Sequence, residues 1–217
     1  MKIKLILICF IILSVINNFT WSAEGSSPKE DQGEEIVVTT DGFAILMGVY
    51  NPFDEDMKGI YGSSFSLSTQ YCLNMGRSID LLASIGFVHK NGNPFYDDLT
   101  FTSDNISTIT FFPIEISARK RFIFMKNPTK GLSRGLYIGG GINYIRAREK
   151  INEKQTTSGG DFGTHFFAGP QIFLNDNLAF EGDVKLLFNN IDMKHGSTRY
   201  SIMFSGLMIK AGLAWYY

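Results

Sequence analysis

The sequence predicts an all-β chain, an eight-stranded antiparallel transmembrane β-barrel wound as an up-and-down meander. Three observations carry that expectation. The chain ends in strict period-2 alternation: Ile209, Ala211, Leu213, Trp215 and Tyr217 on one face, Met208, Lys210, Gly212, Ala214 and Tyr216 on the other. A free terminus in water frays and would expose such an apolar comb, whereas a closing strand in lipid needs it. The segment LAFEGDVKLLF (178–188) places Glu181, Asp183 and Lys185 on one face and Leu178, Phe180, Val184, Leu186 and Phe188 on the other. Charges in mid-strand cannot face lipid, so this barrel is expected to be apolar outside and polar inside. Finally, the connections alternate between short and long, as periplasmic turns and external loops do.

The elements follow in order. Lys2 and Lys4, then the uncharged run Leu5–Val15 and the small and polar residues Thr20, Ser22 and Ala23, have the three parts of a secretory signal, expected over 1–22. The run is about half of the ~20 residues a spanning helix needs. Cys9 lies inside it without a small residue before it, which argues against a lipoprotein acceptor. Residues 23–40, polar and acidic, read as a flexible leader, leaving 41–217 for the barrel. Glu34–Thr40 resembles the short box of TonB-dependent transporters. The chain lacks room for their plug and large barrel, so it is expected to be the lead-in to the first strand.

Strands are expected at Gly42–Tyr50, Tyr61–Leu73, Ile79–His89, Ser107–Ala118, Gly135–Ala147, Phe162–Leu174, Leu178–Phe188 and Tyr200–Tyr217. In the second, Phe65, Leu67, Tyr71 and Leu73 oppose Ser64, Ser66, Ser68, Gln70 and Cys72. In the fourth, Phe112, Ile114 and Ile116 oppose Glu115 and Ser117. Gly139–Gly141 within the fifth signals close packing or space in the lumen. Asn74–Ser78 and Asn175–Asn177 read as short turns, and 51–60, 90–106, 148–161 and 189–199 as long polar loops. One connection breaks the pattern. Residues 119–134 carry six basic side chains and no acid, and read as a long periplasmic turn suited to anionic headgroups or a wall polymer.

Composition sets further limits. The net charge of −1 offers no footprint for nucleic acid. Once a signal is removed only Cys72 remains, so no intrachain disulfide is available. His89, His165 and His195 lack metal-ligand spacing, and neither a metal nor another cofactor is expected.

FFPIEISARKRF (111–122), GLYIGGGINY (135–144), FFAGPQIFLNDNLAFEGDVKLLF (166–188) and the aromatic C-terminus resemble the small eight-stranded outer-membrane barrels of the OmpA/OmpX/OmpW-like superfamily. The resemblance implies a bacterial outer-membrane location. It also implies outer-membrane lipids, lipopolysaccharide and the barrel-assembly machinery as partners, in a monomer. Such barrels serve as tethers, adhesins, narrow channels for small apolar molecules or lipid-modifying enzymes, so fold alone does not choose.

The expected lumenal polar network contains Ser66, Gln70, Glu115, His165, Gln171, Glu181, Asp183, Lys185 and Lys210, with Ser64 and Ser68 beside them. Lys210 is the expected partner of Glu181 or Asp183 on the adjacent strand. The expected assembly signal is Ile209, Ala211, Leu213, Trp215 and Tyr217. His195 and Ser197 superficially resemble the His-x-Ser pair of outer-membrane lipid A deacylases. They fall in a predicted loop, and the only nearby acid, Asp192, precedes them, so no catalytic residue is expected. The resulting expectation is a non-enzymatic, structural or surface-interacting barrel. A porin-like narrow channel is the alternative, and a lipid A hydrolase is a more distant one.

Overall fold

A computed structural model describes residues 41–76, 78–92, 107–127, 132–151, 155–195 and 198–217. The expected signal and leader lie outside them. Ten strand segments and one helix form eight staves: β1 (Gly42–Pro52), α1 (Glu55–Tyr61), β2 (Ser64–Asn74), β3 (Ile79–Asn91), β4 (Ser107–Asn127), β5 (Leu132–Ile151), β6 (Gln155–Phe173), β7 (Leu178–Phe188), β8 (Asn190–His195), β9 (Thr198–Met203) and β10 (Gly206–Tyr216). Every neighbouring pair is antiparallel. The sheet runs β5-β4-β3-β2-β1-β10-β7-β6, and β5 pairs with β6 to close the ring. Strand β10 pairs with β1 from Tyr216↔Gly42 to Gly206↔Pro52, so the C-terminal comb forms the seam.

The seventh and eighth staves are each interrupted once. Strand β7 yields to β8 at Asn189, and β9 to β10 at Phe204–Ser205, with the register preserved from Gly206↔Leu187 to Asn190↔Met203. Ser205 fills the gap in the ladder: its Oγ accepts from the Asn189 amide at 3.1 Å and donates to the Asn189 carbonyl at 3.2 Å.

The side chains sort as period 2 dictates. Phe180, Val184, Leu186 and Phe188 are exposed on the outer wall with Ile114, Ile116, Ile138, Ile209, Leu213 and Trp215. Glu181, Asp183 and Lys185 are buried inside. A wall with this distribution is stable only against hydrocarbon, which is the inverse of a soluble barrel.

Four expectations are corrected. The loops expected at 148–161 and 189–199 are strand over most of their described residues, because β5 runs to Ile151, β6 starts at Gln155, and β8 and β9 cover Asn190–His195 and Thr198–Met203. Residues 119–134 are not a turn: β4 continues to Asn127 and β5 starts at Leu132. Arg119 and Arg121 are buried because they continue the inward face of Glu115 and Ser117 and meet acids from other strands. The loop after β1 is also not irregular. Asp54 caps α1 by accepting from the Met57 amide at 2.9 Å, with Glu55 and Asp56 in the first turn. Tyr61 therefore belongs to α1, not to the second strand.

Candidate functional site

The interior is stacked in three levels. At the external end lies an apolar core: Tyr50, Met57, Tyr61, Val88, Ile109, Phe111, Ile145, Ala147, Leu187, Ile191, Met193, Phe204 and Met208. Phe111 stands edge-on to both Tyr50 and Phe204, with centroids 5.2 Å away in each case. Met57 and Tyr61 bring α1 into this core. The Tyr61 hydroxyl donates to Glu149 on β5, and Tyr200 on β9 donates to the same carboxylate at 2.6 Å. Burial first, and the hydrogen bond to Glu149 second, raise both phenols, Tyr200 to about 12.

The middle level is ionic. Lys185 pairs with Glu115, which also accepts from Ser84 at 2.8 Å. Lys210 lies 3.4 Å from Asp183 and donates to Ser68 at 3.2 Å. Of the two partners expected for Lys210, the structure thus places Asp183 beside it. Glu181 instead faces Arg119. That guanidinium donates through Nε to Asp80 at 2.7 Å, through Nη1 to Glu181 at 3.2 Å and through Nη2 to Tyr216 at 2.9 Å. Arg121 holds the other Asp80 oxygen at 2.8 Å. Gln171 donates to Glu181 at 2.7 Å. Among the described residues of the spanning wall, the buried acids Asp80, Glu115, Glu181 and Asp183 match the buried bases Arg119, Arg121, Lys185 and Lys210 in number.

Ser66 and Gln70 are also buried inside, below the external core. The third level, towards the short turns, is a second apolar cluster that includes Ala44, Cys72, Leu82, Tyr137, Phe167, Phe173 and Tyr216.

His165 belongs to an arrangement the sequence reading missed. Its Nε2 lies 2.7 Å from Ser117 Oγ and its Nδ1 3.4 Å from the Asn143 amide nitrogen. Register makes the contact: Ser117 and His165 both align with Gly141, whose absent side chain leaves the space between them. A Cβ there would collide with the Ile116 carbonyl. Serine and histidine stand as in a hydrolase, but the third partner is an amide and not the carboxylate that a serine triad uses, and all three are buried inside a lipid-facing wall. Of the deacylase-like pair, His195 ends β8, opposite Thr198, and Ser197 lies outside the described residues.

The outer face of the external rim is basic on one side. Arg146, Arg148 and Lys150 on β5, Lys194 on β8 and Arg199 on β9 are exposed. None makes an ion pair among the described residues. Below Arg146, Tyr144 and Phe162 pair at 5.1 Å between centroids and mark the end of the apolar wall.

Barrels of known structure share this architecture. The fold is that of the small eight-stranded outer-membrane barrels. OprG of Pseudomonas aeruginosa aligns at TM-score 0.57 and 12% identity, covering 82% of this chain and 96% of that one. Neisserial surface protein A aligns at 0.51 and 10%, covering 83% and 99%. A major outer membrane protein of Thermus thermophilus aligns at 0.50 and 14%, covering 82% and 98%. No protein-family model matches the sequence, and no curated protein matches it. These likenesses show the fold of an outer-membrane barrel, and the outward apolar wall is one that meets membrane lipid.

Proposed function

We propose that the protein is a sealed, monomeric outer-membrane barrel with a structural and surface-presenting role, not an enzyme or a channel. One observation carries the reading. The interior is filled by side chains from the external core, through a charge-balanced ion-pair network, to the apolar cluster near the short turns. An eight-stranded barrel has room for little more than its own side chains. The clamp of α1 on Glu149 adds closure at the external mouth. A narrow path for apolar molecules would have to displace buried ion pairs, and a lipid hydrolase would have to expose Ser117 to lipid.

The comb Ile209, Ala211, Leu213, Trp215 and Tyr217 fits a recognition strand for the assembly machinery, since it is presented outward along the seam. Removal of Trp215–Tyr217 should leave the barrel poorly assembled.

The role is tested by reconstituting the full barrel in vesicles. Release of small trapped solutes and uptake of a small alkane should proceed as in protein-free vesicles. Removing the lid contacts, with Met57→Ala and Tyr61→Ala together, should raise permeation. Protein-dependent permeation by the native barrel would replace the sealed reading with transport.

A further inference from the structure

The basic rim follows from strand register. Thr110↔Arg148, Arg148↔Ser158, Ser158↔Lys194 and Lys194↔Arg199 are successive partners, so Arg148, Ser158, Lys194 and Arg199 lie in one row across β5, β6, β8 and β9. The row spans three strand spacings, about 14 Å. Lys194 and Arg199 face each other directly, an arrangement that is unfavourable unless an anion lies between them. Arg146 and Lys150 flank the row on β5, and Asp192 is the exposed acid beside it on β8. Next along the rim, after β1 and beside the stave that carries β9, Asp54, Glu55 and Asp56 at the start of α1 have the other sign and are followed by Lys58.

Depth points to the anion's source. Four residues separate Tyr144, at the end of the apolar wall, from Arg148, which is about 13 Å along a strand and about 10 Å along the normal of a tilted barrel. That is headgroup level. Below Lys194 and Arg199, at the interruption of the two staves, a shallow depression is lined by Phe188, Asn189, Asn190, Met203 and Ser205. Cations above an outer wall that exposes Phe188 and Met203 match a phosphorylated amphiphile, with a phosphate on the row and its acyl chains against the wall.

We infer that this side of the rim is a binding site for lipopolysaccharide, with its headgroup phosphates held by Arg148, Lys194 and Arg199 and assisted by Ser158. The inference rests on the outer-membrane orientation of the barrel and deepens its surface role. It does not depend on whether the lumen is sealed.

The test uses the purified full chain in detergent micelles with fluorescently labelled lipopolysaccharide, the same lipid after enzymatic dephosphorylation, and labelled phosphatidylglycerol in the same micelles. A cation near an anionic surface is worth about a fivefold change in partitioning, so Arg148→Gln, Lys194→Gln and Arg199→Gln together should weaken binding about a hundredfold. Dephosphorylation should weaken it comparably. Asp192→Asn should tighten it, and Arg134→Gln, on an exposed residue of the opposite rim, should leave it unchanged. Folding of each variant is checked by its heat-dependent gel migration. If the triple variant does not fold, the Asp192→Asn and dephosphorylation arms still decide. Unchanged binding after dephosphorylation, or equal binding to phosphatidylglycerol, overturns the proposal. The sealed-barrel reading fails separately, through permeation.

Discussion

Replacing Arg119 with methionine is the sharpest perturbation of the interior. The guanidinium joins Asp80, Glu181 and Tyr216, and sits over the Tyr137 ring at 4.9 Å. Without it, Asp80 keeps Arg121, but Glu181 keeps only the neutral donors Gln171 and Tyr216. Removing one partner of a buried ion pair typically costs about 3–5 kcal/mol, because the remaining charge is stranded. Arg119→Met should therefore destabilise the barrel by about that amount. Arg119→Lys should not restore stability, since an ammonium cannot reproduce a fork that serves three partners. Glu181→Gln added to Arg119→Met should recover part of the loss. Lys210→Met should cost less than Arg119→Met, because Asp183 retains Lys185 at 3.9 Å. The assay is urea unfolding in vesicles, followed by gel migration and tryptophan fluorescence. Additive effects of Arg119 and Glu181 substitutions, or an Arg119→Met cost below about 0.5 kcal/mol, would refute the reasoning.

Other consequences can be checked with the same preparation. Val184→Arg, on the exposed outer face of β7, should cost about 2–4 kcal/mol near mid-depth in the urea titration. The lid should depend on alkaline pH. Tyr61 and Tyr200 have raised folded-state pKa values, so their contribution is complete below the ordinary tyrosine value of 10.0 and is lost as pH rises, that of Tyr200 by about 12 and that of Tyr61 at higher pH still. Protease cleavage within α1 should accelerate over that range, and Glu149→Gln should change this profile. Lipid A mass spectra should be identical in cells carrying the native protein, Ser117→Ala or His165→Asn. An acyl loss that requires Ser117 would establish the enzyme reading.

The facing of β7 could be read from sequence because three charges alternate with large apolar residues within eleven positions. The inward direction of Arg119 and Arg121 could not. Their local run contains no acid, and their partners Asp80 and Glu181 are remote in sequence, so the basic stretch mimicked a turn. The β3–β4 register sets Asp80 beside Arg119, and closure of the barrel brings Glu181 to it across the lumen. Helix α1 is too short to show a 3.6-residue period. Asp54 followed by Glu55 and Asp56 was the available signal, a cap with acids in the first turn. The Ser117–His165–Asn143 contact and the Arg148–Lys194–Arg199 row share one cause: each depends on residues aligned across three or four strands, which no single segment reveals.

The account turns on a wall that is apolar outside and packed inside. A thiol-accessibility scan tests both. In a Cys72→Ser background, single cysteines placed through 178–188 are exposed, in the reconstituted barrel, to a lipid-soluble and to a water-soluble thiol reagent. Positions 180, 184, 186 and 188 should react with the lipid-soluble reagent. Positions 181, 183 and 185 should resist both. Reaction of the second set with the lipid-soluble reagent would invert the barrel, and reaction with the aqueous reagent would open its lumen.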